Sequence, residues 1–131
     1  MRPLQLCRRV ARATAYRTAG VHAAETADLV VVVGSFAKMF WPGLRDGGFT
    51  ADRMLKAATV GEATALLRPL IREGDVVLLK GRSNRKLARI ALALQGREVR
   101  CALAECWLDR QYCDSCRYLR TGPFVAARDA E

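Results

Sequence analysis

Four of the five cysteines in this sequence fall within one short stretch, spaced Cys101-x4-Cys106-x6-Cys113-x2-Cys116. Four thiolates this close in the chain can converge on one tetrahedral Zn²⁺, and the C-x2-C pair is a frequent half of such sites. The spacing therefore predicts a four-cysteine metal knuckle over 101–120 that binds structural zinc. Two alternatives stay open: the same thiolates hold an iron–sulfur cluster, or Cys101 and Cys106 are small buried side chains of a strand.

A second candidate site lies at 80–84, where an apolar run ends and a helical pattern begins. If the run is a buried parallel strand, the next helix starts beyond the carboxyl end of that strand, where backbone N–H groups and the helix dipole attract anions. A glycine there permits close approach, and Ser83 or Asn84 can cap the helix. The alternative is that Lys80 simply leaves the strand into solvent. The pattern predicts phosphate or nucleotide contacts at Lys80, Gly81, Arg82, Ser83 and Asn84.

The elements that would position these groups are strands alternating with helices. The segments "ADLVVVVGS" (27–35) and "GDVVLLKGR" (74–82) are continuous apolar runs bounded by turn residues, which is typical of strands buried on both faces. A further strand is predicted at 97–105. The helix before the second run should break near Pro69, and the helix over 85–94 should end at Gly96.

This alternation predicts an α/β fold with a small, mainly parallel Rossmann-like sheet flanked by helices, extended by a C-terminal zinc-binding segment that contains the four clustered cysteines. The turn-rich stretch "FWPGLRDGGFTADR" (40–53) is predicted to be a loop. The end of the chain, 121–131, is predicted to be a flexible tail.

The composition indicates a globular protein with anionic partners. The formal net charge is +9 and the sequence pI is about 10.0, which favours phosphate-bearing ligands, nucleic acid or an acidic protein. A high-GC genome is the alternative source of so many arginines. No apolar run approaches the ~20 residues of a membrane span. Residues 1–15 are Arg-rich and free of acidic residues, which indicates a basic N-terminal helix of a cytoplasmic protein, with an organellar transit segment as the alternative.

Much of the chain resembles the C-terminal domain of the Mur ligase family, closest to the ligase that adds D-alanyl-D-alanine to the peptidoglycan precursor. The matching stretches are "YRTAGVHAAETADLVVVVG" (16–34), "EATALLRPLIREGDVVLLKG" (62–81) and "RKLARIALAL" (85–94). The resemblance implies a Mur-ligase C-terminal-like α/β domain over 16–100. In the family this domain closes over ATP and helps to bind the incoming amino acid or dipeptide.

The sequence also departs from the family pattern. Tyr16 stands where the family helix usually has histidine, the Ser-Arg pair is reversed as Arg82-Ser83, and Ala88 replaces a usual acidic residue. No "GKT" phosphate loop occurs in the sequence, so ATP is expected only if a partner ligase chain supplies the ATPase domain.

The function predicted from these features is a non-catalytic subunit or interaction module that binds a larger protein partner and has an anion contact site. No residue is assigned a catalytic role, and the lone His22 is assigned none either. One alternative is a zinc-containing basic protein associated with nucleic acid or the ribosome. Another is a split subunit of an ATP-dependent ligase that forms amide bonds in peptidoglycan precursors.

Overall fold

The computed structural model describes residues 3–108 and 110–122 of the 131-residue chain. These residues form an α/β structure with four α-helices and a sheet of two parallel strands, as the coarse fold prediction expected. The chain divides into two compact units, Met1–Ala58 and Thr59–Glu131. The elements in chain order are α1 (Pro3–Thr26), β1 (Val30–Val33), α2 (Ala37–Asp46), β2 (Met54–Ala57), α3 (Val60–Leu67) and α4 (Ala88–Leu94), with short 3-10 turns at Ala51–Arg53, Ser83–Arg85 and Cys113–Ser115.

The first unit contains the whole described sheet. Strand β1 is four consecutive valines, whose branched side chains favour extended backbone, and it pairs in parallel with β2 so that Val30 lies opposite Met54. The strand predicted at 27–35 is thus confirmed for Val30–Val33, although its side chains are only half-buried. The pairing strand was not predicted, because Met-Leu-Lys-Ala carries little strand preference of its own. A core of Leu44, Phe49 and Met54 packs beside the sheet.

Glycines set the contact between α1 and α2. A Cβ on Gly20 would lie 2.5 Å from the Phe40 carbonyl oxygen, and a Cβ on Gly43 would collide with the Arg17 carbonyl. The two helices therefore approach each other at backbone distance. The prediction of a loop over 40–53 is wrong for 40–46, since Pro42 lies inside α2 and this packing outweighs the hydrogen bond that proline removes.

The helices of the second unit follow local signals in the sequence. Thr59 caps α3 by accepting the N–H of Glu62 at 3.1 Å, and the helix ends two residues before Pro69. Helix α4 ends ahead of Gly96, whose φ of +87° is the left-handed conformation expected after a helix end. Its start differs from the prediction: Leu87 is the N-cap residue and caps through no side chain, so Ser83 and Asn84 do not cap it.

None of the described helices has the length and hydrophobicity that a membrane span requires. Helix α1 runs without a break from the predicted basic N-terminal segment (1–15) into the predicted α/β domain. Most of the predicted tail, from residue 123 onward, lies outside the described residues.

The strands predicted at 74–82 and 97–105 are not formed. Residues 75–82 have no regular secondary structure, and the side chains of Val76 and Leu78 are 94% and 83% exposed. A strand persists only where a neighbour supplies its hydrogen bonds, and within the described residues neither segment pairs with one. Isolated bonds hold the second segment instead, such as the N–H of Arg100 donating to the Leu119 carbonyl.

Exposure of the 75–82 segment predicts that its apolar side chains contribute little to stability. Leu78→Ala is expected to change the free energy of unfolding by less than about 0.5 kcal/mol, because the side chain is already in water. Ile90→Ala is the matched control, since Ile90 is 2% exposed in the same unit and its truncation should cost about 2–5 kcal/mol. Urea unfolding of both variants measures the difference. Equal losses of stability in the two variants would indicate that Leu78 lies in a buried strand, as the sequence predicted.

Candidate metal centre

The four clustered cysteines line one small cavity in the second unit. Its volume is about 20 Å³, which is room for roughly one water-sized species. All four are free thiols with half-buried side chains. The lining consists of Cys101, Cys106, Cys113 and Cys116 together with Lys86, Arg89, Gln111 and Leu119.

Backbone hydrogen bonds hold the first two thiols in place. Cys101 N–H donates to the Leu119 carbonyl at 3.2 Å, and Cys106 N–H donates to the Asn84 carbonyl at 2.7 Å. The Sγ of Cys106 accepts the N–H of Leu108 at 3.4 Å. These bonds fix the backbone of both cysteines and the orientation of the Cys106 sulfur.

The other two thiols flank a single tight turn. Cys113 begins the 3-10 turn Cys113–Ser115, and Cys116 N–H donates back to the Cys113 carbonyl at 3.2 Å. Burial raises the pKa of the Cys113 thiol, against the opposing effect of the positive charges of Arg89 and Lys86. The same thiol is also close enough to Cys101 and Cys116 for their thiolates to raise its pKa further. Cys113 is therefore near enough to Cys101 and Cys116 for their charges to affect it.

Arg89 is the most unusual residue of the site, because its side chain is charged and only 1% exposed. Its guanidinium donates to four backbone carbonyls: Cys101 at 2.7 Å, Leu103 at 2.8 Å, and Arg85 and Lys86 at 3.1 Å each. A further N–H points at the Cys101 Sγ at 3.6 Å. Within the described residues it pairs with no carboxylate.

A buried cation without an opposite charge is costly. The carbonyls satisfy the donors of Arg89 but do not neutralise it. Lys86, whose ammonium donates to the Gln111 carbonyl at 2.8 Å, adds a second positive charge to the same cavity. Two positively charged side chains thus line the cavity that the four thiols share.

No three His, Cys, Asp or Glu side chains of the described residues are arranged as a group that could hold a metal ion. The thiols thus share one cavity without adopting a coordination geometry.

The predicted anion site is arranged differently. Lys80, Gly81 and Arg82 lie in the exposed irregular segment, so the strand-to-helix junction that motivated the prediction is absent. A Cβ on Gly81 would lie 2.8 Å from Leu87 Cδ1, which explains the glycine by packing. The turn Ser83–Arg85 follows, and its central residue, Asn84, binds the cysteine segment through its carbonyl. Anion contact at 80–84 stays a prediction.

Sequence reasoning missed Arg89. No role was predicted for Arg89 from the sequence, whereas Arg89 and Ile90 are the buried residues of that helix. The pattern of α4 alone holds no signal for this. The only available hint is that a cluster of thiolates needs a cation nearby.

Comparison of the chain with protein-family models, with curated proteins and with solved structures gave no match.

Proposed function

We propose that this chain is a non-catalytic interaction module whose second unit is held together by one structural Zn²⁺ bound to Cys101, Cys106, Cys113 and Cys116. The observation that carries the proposal is that four thiols line one cavity against a buried arginine that has no carboxylate partner among the described residues. This combination supplies both the ligands and the countercharge of a metal centre.

Charge favours a tetrathiolate ion. Four thiolates around Zn²⁺ carry a net charge of about −2, and the two cations of the lining, Lys86 and Arg89, oppose it. Cations and N–H groups around a metal centre hold its ligands in place and stabilise their ionised form. Without the ion, Arg89 has no carboxylate to oppose its charge among the described residues.

Size favours a single ion over a cluster. A cavity of about 20 Å³ accommodates about one water-sized species, whereas an iron–sulfur cluster contains several iron and sulfide ions. Zinc is the usual occupant of tetrahedral four-cysteine sites.

Exposed apolar side chains in the same unit support a role in binding a protein partner. Large exposed apolar surface commonly marks protein–protein contact sites. The exposed large apolar side chains are Leu70, Val76, Val77, Leu78, Trp107 and Tyr112. A partner that covers them would make the chain one subunit of a complex.

The relation to Mur ligases is part of the proposal. Of the stretches that carry the resemblance, 16–34 contains β1, and 62–81 and 85–94 contain most of α3 and α4. The irregular 75–82 segment departs from the strand predicted there. We propose that the chain has kept the binding role of such a domain and not its part in amide-bond formation.

Metal analysis of the natively purified protein tests the proposal. We expect one zinc per chain and a companion protein in the mass spectrum of the purified complex. Cys113→Ser should bring the zinc content well below one per chain, because serine is a poor zinc ligand. Cys7→Ser is the matched control, since Cys7 is the cysteine outside the cluster, and it should keep full zinc. Iron with visible absorbance, or no metal above the Cys113→Ser level, would overturn the zinc centre.

A further inference from the structure

A groove beside the cysteine cavity is lined by three arginines. Its lining is Glu98, Arg100, Arg117, Arg120 and Thr121, and its volume is about 390 Å³. Three guanidiniums and one carboxylate leave an excess of positive charge. The groove is open to solvent at the surface of the second unit, so a ligand can reach its arginines.

Glu98 holds two of the arginines in position. Its Oε1 is 2.7 Å from Nη2 of Arg100, and its Oε2 is 3.4 Å from Nε of Arg120. Both arginine side chains are nonetheless mostly exposed. Since a guanidinium has five N–H donors, each keeps donors directed at solvent after pairing with one carboxylate oxygen.

The third arginine lies on an aromatic ring. The guanidinium carbon of Arg117 is 4.7 Å from the centre of the Tyr118 ring, and its Nη2 donates to the Tyr118 hydroxyl. Stacking restricts the arginine without consuming its charge. The pair thus places the guanidinium of Arg117 next to the flat aromatic ring of Tyr118.

The groove and the metal centre share one framework. The N–H groups of Arg100 and Cys101 both donate to the carbonyl of Leu119, at 2.8 and 3.2 Å. Arg117 follows Cys116 directly in the chain. Fixing Cys101 and Cys116 on a metal ion therefore fixes the backbone that carries two of the three arginines.

We propose that this groove binds the phosphodiester backbone of single-stranded nucleic acid, and that binding requires the zinc of the proposed function. Arginine forks match phosphate oxygens in geometry and charge. The net charge of +9 attracts polyanions over several ångströms. An open groove suits a chain of phosphates, and a guanidinium stacked on tyrosine offers a surface for a base.

Fluorescence anisotropy of a labelled oligouridine of about 12 nucleotides, a length within the range of single-strand sites, tests the proposal with the zinc-loaded full chain. The variant R100Q/R117Q/R120Q should bind at least about tenfold more weakly at roughly 0.1 M salt. The slope of log K against log salt should also shrink by about 2, because each phosphate contact with a single strand contributes about 0.7 to that slope. The control R12Q/R45Q/R72Q removes the same charge from exposed arginines and should stay within about threefold of the parent.

Several outcomes would overturn the groove. Equal weakening by both triple variants would mean that binding depends on total charge alone. If inorganic phosphate displaces the oligouridine as well as unlabelled oligouridine does at the same phosphate concentration, the ligand is a small phosphate. If polyglutamate displaces it equally well, the partner is an acidic protein.

Cys116→Ser separates this inference from the proposed function. It should abolish oligouridine binding if zinc positions the arginines. If the protein binds one zinc per chain but R100Q/R117Q/R120Q binds oligouridine as the parent does, the groove is not the binding site, and the metal centre remains supported. If the protein binds no zinc but R100Q/R117Q/R120Q still weakens oligouridine binding, the metal centre and the dependence of binding on zinc are both wrong. The contacts of the three arginines with nucleic acid would remain supported.

Discussion

Removing zinc from the loaded protein with a strong chelator is expected to unfold the second unit while the first unit stays folded. The described part of the second unit has three buried apolar residues, Ala63, Ile90 and Leu119. So small a core rarely stabilises a domain by itself. Binding of structural zinc contributes about 10–16 kcal/mol to folding at neutral pH, so its loss removes the main source of stability.

Hydrogen–deuterium exchange with mass spectrometry resolves the two units in one experiment. The amides of Cys101 and Cys106, which are hydrogen-bonded in the structure, should lose protection on chelation. The amide of Phe49, which donates to the Leu44 carbonyl in the first unit, should keep its protection. Adding zinc back should restore the original pattern. Unchanged protection after complete removal of zinc would contradict a structural metal.

Replacing Arg89 is expected to destabilise the second unit strongly even when zinc is bound. Arg89→Met removes four side-chain hydrogen bonds to backbone carbonyls and a cation beside the thiols. Breaking such a buried charged network costs about 3–5 kcal/mol, a large part of the roughly 5–15 kcal/mol that stabilises a typical domain. Denaturant unfolding of the zinc-loaded variant measures this loss.

Arg68 offers a matched control for Arg89. Its exposed side chain donates to one carbonyl, that of Ala93, at 3.0 Å, so Arg68→Met should cost no more than about 1 kcal/mol. Arg89→Lys keeps the charge but cannot reach four carbonyls, so it should retain more zinc affinity than Arg89→Met while losing stability. Equal zinc affinity in the two Arg89 variants would show that the guanidinium supports the backbone only.

The elements that were predicted correctly from the sequence are those specified by neighbouring residues. Four valines in a row favour β1 wherever a partner is available, and Pro69 and Gly96 end helices by their own backbone constraints. The spacing of the cysteines likewise indicated that they could meet, and in the structure all four line one cavity.

The features that the sequence did not predict depend on distant residues. The strand predicted at 74–82 is not formed, because a strand requires a neighbouring strand, which its own side chains cannot specify. Pro42 and Gly43 are turn formers locally, yet they lie in a helix because α1 packs closely against it. Burial of Arg89 depends on carbonyls up to fourteen positions away along the chain, so the helical pattern around it gave no indication.

The exposed segment 76–78 suggests a second role for the charged residues at its ends. Consecutive valines and leucines without proline are prone to form intermolecular cross-β aggregates when solvent reaches them. Asp75 precedes this run, and Lys80 and Arg82 follow it closely. Charged residues in such positions act as gatekeepers, since stacking identical strands would bring like charges together and bury them. The residues that first suggested a ligand site thus also oppose precipitation of the chain.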